Sequence, residues 1–351
     1  DHRTDVTRRL RFTAAGENAS DNKYFEDFRS GVEGTSVTHL ERRARLEWLG
    51  RGLRVQALVQ DFQVIDERID PLDRPYARLP SIGAKGRWPL GGGLQAELDG
   101  EAAYFDRNAG VTGARLDLSP RLSLRLGGAG WFVSPSVAWS YAGYALDDLA
   151  PGEDESPSVN APIVAVDAGL VFDRDATADG RLTQTLEPRV LYTYIPFREQ
   201  SGLPVFDSGL PDLDLVQLFR SNRYVGGDRL GDANQLAWGV TSRLLQTASG
   251  RQFLAATVGQ KVYFESPRVT LEGEEPERRA SSDVVGELEL NAYRNWSVRL
   301  ATQFDTDASS TVFSRFGVQY RAGRDKVANI GYRYRAGRIA QWEASAAWRL
   351  S

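Results

Sequence analysis

The chain has 351 residues, with 43 basic against 47 acidic side chains and a formal net charge of −4. That near balance argues against a nucleic-acid partner, which calls for a basic excess. Mean hydropathy is −0.40 and no run approaches the roughly 18 consecutive apolar residues of a membrane helix, although a membrane barrel stays open because its lumen-facing half keeps the average low. Cysteine is absent, which removes disulfides, thiolate metal sites and cysteine nucleophiles. Methionine is absent too, and the opening Asp1-His2-Arg3 points to a processed leader or to a piece of a longer protein.

Along the chain, apolar and polar residues alternate with a period of two, which marks strands with one apolar and one wet face. Leu40, Ala44, Leu46 and Trp48 share a face, with Arg43, Arg45 and Glu47 opposite; Leu53, Val55, Ala57 and Val59 follow. Trp131, Val133, Val137, Trp139 and Tyr141 face away from Ser134, Ser136, Ala138 and Ser140. Leu186, Val190, Tyr192 and Tyr194 oppose Glu187, Arg189 and Thr193. Val284, Leu288, Leu290 and Ala292 oppose Asp283, Glu287, Glu289 and Asn291. The clearest stretch sets Trp296, Val298, Leu300 and Phe304 against Ser297, Arg299 and Gln303. Val312, Phe316, Val318 and Tyr320, then Ile330, Tyr332 and Tyr334, then Trp342, Ala344, Ala346 and Trp348 complete the series. The pattern predicts about 16 strands. Several exceed the roughly 5–6 residues usual in soluble sheets and match the roughly 9–11 of a tilted membrane strand.

Connections alternate as well. Tight turns are expected at 50–52, 91–93, 127–130, 248–250, 294–295 and 322–324, and long links near 16–35, 65–76, 146–161, 196–234 and 267–281. Short turns on one side and long loops on the other are the layout of an outer-membrane barrel. The hairpin near 336–338 is short where a long loop is expected. Soluble sandwiches and propellers also alternate, but no blade-length repeat is present.

Little here points to catalysis. His2 sits at a ragged end, and His39 opens a strand; a membrane hydrolase using His39 is one reading, an ordinary strand-end histidine the plainer one. No histidine cluster or phosphate loop suggests a metal or cofactor. Arg43 and Arg45 share a polar face and suit guidance of an anionic glycolipid headgroup, or simply a solvated lumen wall. The acidic tips Glu153-Asp154-Glu155 and Glu272-Gly273-Glu274-Glu275 suit divalent cations or plain solvation. A link as long as 196–234, with apolar residues and turn motifs, is seldom idle and should pack on the lumen, a partner or the rim.

Thr183-Gln184-Thr185-Leu186-Glu187-Pro188-Arg189 followed by Tyr192-Thr193-Tyr194-Ile195-Pro196-Phe197-Arg198-Glu199-Gln200-Ser201 resembles the LptD (organic solvent tolerance protein) family of LPS-assembly outer-membrane proteins. Leu218-Phe219-Arg220, the run from Gly226-Gly227-Asp228-Arg229 to Asn234-Gln235, Thr241-Ser242-Arg243, Val258-Gly259-Gln260 and Tyr263-Phe264 carry the same resemblance. Tyr24-Phe25-Glu26-Asp27-Phe28 and Gly331-Tyr332-Arg333-Tyr334 match weaker motifs. The resemblance is specific over 183–264 and agrees in order across nearly the whole chain.

It implies an all-β, antiparallel transmembrane β-barrel of 26 strands, of which this chain would be an arc. It implies lipopolysaccharide transport and assembly at the outer membrane of a Gram-negative bacterium, not catalysis. Implied partners are the lipoprotein LptE as lumen plug, lipopolysaccharide itself, outer-membrane lipids and a periplasmic bridge protein. The bridge would act through an N-terminal jellyroll that is not found before residue 1. The family's cysteines and a terminal aromatic are missing from Trp348-Arg349-Leu350-Ser351, so the expectation is an excised section of one barrel domain without its gate strands. Glu187, Arg189, Arg198, Arg220, Asp228, Arg229, Asp232 and Asn234 are expected to organise the loop 196–234 or touch the plug. The alternative function is a general outer-membrane porin with an open lumen.

Overall fold

The computed structural model describes residues 2–19, 38–66, 68–293, 295–323 and 326–348. The Tyr24–Phe28 motif, the turn residues Arg294 and Arg324, and the chain end from Arg349 to Ser351 lie outside the described residues.

The described chain forms 19 strand segments of one antiparallel sheet. A short β1 (His2–Asp5) pairs with β2 (Leu10–Gly16), which pairs with β3 (His39–Leu49), and that with β4 (Leu53–Val64). The meander continues through β5 (Ala77–Gly91), β6 (Leu94–Asp106), β7 (Thr112–Leu124) and β9 (Trp131–Asp147), with β8 (Leu126–Gly127) prolonging β7. Next come β10 (Ser158–Leu170), its extension β11 (Phe172–Asp175), and β12 (Leu182–Ile195). Then β13 (Ala233–Gln246), β14 (Gln252–Glu265), β15 (Val284–Tyr293), β16 (Trp296–Asp305), β17 (Ser310–Ala322), β18 (Lys326–Arg335) and β19 (Ile339–Trp348) each pair with the next. Counting β8 and β11 as extensions and β1 as a stub leaves about the 16 strands that alternation predicts. Among the described residues β1 and β19 do not pair with each other, so the sheet is an open arc.

Several long strands separate a polar from an apolar face, whereas on β3 Leu40, expected beside the exposed Leu46 and Trp48, is buried with Ala19 and Ile65. In β7 the side chains of Arg115, Asp117, Ser119 and Arg121 lie on one face; Leu116, Leu118 and Leu122 stand exposed on the other. In β9 the exposed Trp131, Val137 and Trp139 back onto the buried Ala138 and Ala142. In β12 the exposed Leu186, Val190 and Tyr194 back onto Thr185, Leu191, Thr193 and Ile195. An apolar face left open along so many strands suits contact with lipid.

The turns follow from their residues. Between β5 and β6 only Gly92 and Gly93 intervene, at φ +61° and +82°. A two-residue hairpin of this kind needs positive φ at both positions, which glycine supplies without strain. The long links 65–76, 148–157, 196–232 and 266–283 all lie on the opposite side. Two features depart from expectation. The links 107–111 and 306–309 are short on the long-loop side, in addition to 336–338, and the six-residue turn 176–181 adds an unforeseen member to the short side.

The core does not lie between two sheets. Most of it lies between the concave face of this one and the segment 196–232, with a small separate cluster of Ala19, Leu40 and Ile65. Leu203 and Phe206 pack with Tyr76, Phe105, Tyr144 and Val159. A single helical turn, α1 (Leu215–Leu218), is capped by the Asp214 carboxylate, which accepts the Gln217 N–H at 2.7 Å. It puts Leu218 against Ala165, Leu191, Ala237 and Val285. The segment touches Arg78 on β5 and, through Asp212, Arg335 on β18. Strands so far apart in order reach one segment because the sheet curves around it.

Candidate functional site

Within that curve, one buried arginine gathers the segment onto the wall. Arg115 lies on the polar face of β7, with its side chain 1% exposed. Its Nη1 donates to Asp207 Oδ1 and Asp228 Oδ1, both at 2.6 Å, and Nη2 donates to Asp207 Oδ2 at 3.0 Å. The fork on Asp207 is the bidentate geometry that a guanidinium favours. Glu101 on β6 joins at 3.3 Å, and Arg78 on β5 donates to the same Asp207 Oδ2 at 2.9 Å. Gly227 lets this happen: a Cβ there would sit 2.7 Å from the Arg115 guanidinium carbon.

Asp228 does a second task. Its Oδ2 accepts the main-chain N–H groups of Phe206, Asp207 and Ser208 at 2.9, 2.8 and 3.0 Å. Three successive N–H groups turned on one oxygen form a nest for an anion. The Ser208 hydroxyl returns the contact by accepting the N–H groups of Asp228 and Arg229 at 2.8 and 3.1 Å. The two limbs of the segment, 203–209 and 225–230, are thus knotted by side chains to each other and then to the wall. Phe206 stacks on Phe105 with ring centroids 4.6 Å apart, which closes the apolar side of the knot. Burial alone would raise the Asp207 carboxyl, but the hydrogen bonds and charge of Arg115, with Gly227 N–H and Arg78, hold it down at about 2. Burial pushes Asp228 the other way, upward, against the pull of Arg115.

The expected site residues fall into separate groups. Asp228, Arg229 and Asp232 make their hydrogen bonds within the segment or to the neighbouring link. Arg229 donates to the carbonyls of Leu203 and Pro204 at 2.8 and 3.1 Å, and Asp232 accepts the N–H groups of Arg268 and Val269, tying 196–232 to 266–283. Glu187 and Arg189 belong to the wall, paired with Arg243 and Asp167, although Arg189 also covers the Phe219 ring at 4.3 Å. Arg198 donates to the carbonyl of Asn160 at 3.1 Å. Asn234 lies on the outer face with Tyr192 and Glu265. Arg220 has no hydrogen bond or ion pair on its guanidinium among the described residues. Arg43 pairs with Glu41 at 3.2 Å, and Arg45 has a buried Nε without a partner. Arg115, Asp207, Arg78 and Glu101 were not singled out from sequence, because an arginine on a polar strand face carries no local mark of what crosses the lumen to meet it.

Below the knot a cavity of about 1310 Å³ opens along β4 to β7. Its charges are largely matched: Lys85 with Asp99 at 2.8 Å and Arg87 with Glu97 at 2.9 Å. His39 stands exposed beside Thr38 and against Phe62. Among the described residues no three acids or histidines converge as a metal site, and the acidic tips bind main-chain N–H groups instead, Glu153 that of Ala150 and Glu274 that of Leu271.

A family model described as LPS transport system D matches residues 1–351. An LPS-assembly protein LptD from Nitrosococcus oceani is 39% identical over 338 residues, covering 95% of this chain and 46% of that protein. The namesake from Thiobacillus denitrificans is 35% identical with the same coverages, and that from Nitrosospira multiformis is 36% identical over 95% of this chain and 36% of its own length. The chain therefore spans less than half the length of the curated relatives it matches. Among solved structures, the siderophore receptor PirA from Pseudomonas aeruginosa superposes with a TM-score of 0.45 at 12% identity, covering 99% of this chain and 68% of that one.

Proposed function

The chain belongs to the LPS transport system D family, and from that premise we propose that it forms part of the outer-membrane barrel wall through which lipopolysaccharide is delivered to the outer leaflet. The family match over the full 1–351 is the observation that carries this reading. The open apolar face would meet membrane lipid. The concave polar face would line a hydrated lumen for the saccharide, with 196–232 held across it as a lid by Arg115 and Asp228.

On this reading residues 1–351 are one section of a single barrel domain. The lipoprotein LptE would occupy the lumen below the lid, and a periplasmic bridge protein would feed lipid from the short-turn side. The expected loop residues Asp228, Arg229 and Asp232 would serve by holding the lid's shape. Arg43 and Arg45 would guide phosphorylated headgroups along β3. The protein transports and does no covalent chemistry.

Depletion of the full-length protein tests the reading. Newly made lipopolysaccharide should fail to reach the cell surface and accumulate inside. Unchanged surface delivery, together with free conductance of the purified barrel in planar bilayers, would favour the porin instead.

A further inference from the structure

We propose that the short-turn rim of the wall is a binding surface for anionic phospholipid headgroups. Five of the eight tryptophans, Trp48, Trp88, Trp131, Trp296 and Trp348, lie at or near strand ends on that side. Trp48, Trp131, Trp296 and Trp348 stand exposed on the outward face, and Trp88 joins them in register with Ala96 and the exposed Leu122. Tryptophan collects where hydrocarbon gives way to headgroups, so these side chains set the depth of the rim.

Cations stand in contact with this belt. On β16 to β19 the outward Trp296, Tyr320 and Trp348 form a row, with successive ring centroids 4.8 and 6.2 Å apart. The Lys326 ammonium lies over the Trp348 ring at 5.2 Å, and no carboxylate pairs with it among the described residues. Arg174 on β11 shares the outward face with the exposed Phe172 and Leu186, and its guanidinium donates to Gln184 Oε1 at 3.0 and 2.6 Å. A neutral amide leaves that charge uncompensated. Arg8, Arg9 and Arg51, in the turns 6–9 and 50–52, have no ion pair among the described residues. The acids of this rim are taken or turned away. Asp5 pairs with Arg11 and Asp179 with Arg181, and Asp173 and Asp175 lie on the concave side of β11.

The opposite rim carries the reverse charge. Asp147, Asp148, Glu153, Asp154 and Glu155 stand between 147 and 157 with no lysine or arginine among them. A cation at headgroup depth attracts negatively charged lipid, and the leaflet that borders the short turns is the one that supplies it. An acidic protein would reach the turns. It would not reach the outward Lys326 and Arg174, whose neighbours Trp348, Phe172 and Leu186 face hydrocarbon.

The test places the full-length protein in detergent with equal amounts of phosphatidylglycerol and phosphatidylethanolamine, and separately with lipopolysaccharide, and counts the retained lipid by native mass spectrometry. The unaltered protein should retain phosphatidylglycerol over phosphatidylethanolamine by about fivefold. Lys326→Gln combined with Arg174→Gln should bring the two lipids close to parity, whereas Lys326→Arg with Arg174→Lys should keep the preference. Lys85→Gln, which removes a lumen cation paired with Asp99, should keep it as well. No preference in the unaltered protein, or a preference that the outward pair of substitutions leaves intact, overturns the surface. So does retention of lipopolysaccharide alone that falls with those substitutions, which gives the rim to the transported lipid. The surface rests on the membrane-wall reading, which insertion into lipid nanodiscs tests separately. A protein that enters them without preferring either lipid overturns the surface alone, and one that does not enter them overturns both.

Discussion

Arg115 is buried with four carboxylates within 3.5 Å, Glu101, Asp117, Asp207 and Asp228. A charge so far from water is tolerable because every partner is both opposite in sign and a hydrogen-bond acceptor. The two loop acids differ in how they titrate. Asp207 sits at about 2 in the folded protein, below its ordinary 3.8, so it stabilises the lid above about pH 4 and loses that contribution as pH falls toward 2. Asp228 is raised by burial, so its protonation comes earlier and with the opposite sign, favouring the folded lid as pH falls. The lid should therefore stay anchored on acidification to about pH 4 and loosen between about pH 4 and 2, at a loss of about 2 kcal/mol. Hydrogen exchange of 203–209 and 225–230 as a function of pH reads this. Loosening already between pH 7 and 5 would contradict it.

Elements are held together by what is left out of them as much as by what they carry. Gly239 and Gly259 face each other across β13 and β14, beneath Phe219 and Leu218. A Cβ on Gly259 would stand 2.4 Å from Leu218 Cδ2 and 2.6 Å from the Trp238 carbonyl, so the pair of glycines makes the seat for α1. Face assignment is the other decision made at this scale. On β16, Val298 pairs with Leu290 and Val318 on the outer face, whereas Ser297 pairs with Gln319 on the concave one. Val298→Arg should destabilise the full-length protein in bilayers by about 2–4 kcal/mol, and Ser297→Arg by little. Equilibrium unfolding of the two variants checks this, and equal losses would reverse the faces.

The molecule as described is a curved wall wrapped around its own loop. Each edge, β1 and β19, leaves a row of main-chain N–H and C=O groups unpaired among the described residues. Water can satisfy them but hydrocarbon cannot, so the isolated 351-residue chain should give no heat-modifiable band on electrophoresis and should associate through its edges. A monodisperse, heat-modifiable species would show that the arc closes on itself. Most strands, their faces and the positions of the long links were legible in the sequence, whereas the short links 107–111 and 306–309 and the turn 176–181 were not. The legible features are local: a period of two, a pair of glycines, or a run of turn residues acts on its immediate neighbours whatever the rest of the chain does. Asp228 and Arg229 stood out within a recognisable run for the same reason. What crosses the lumen was not legible. Arg115 and Asp228 lie 113 positions apart, and Asp212 reaches Arg335 from 123 away. The sequence by itself determined a membrane wall with two faces. Only the tertiary structure decided which loop fills it and which charges are left without partners, because those depend on curvature summed over many strands, to which no single stretch of sequence is sensitive.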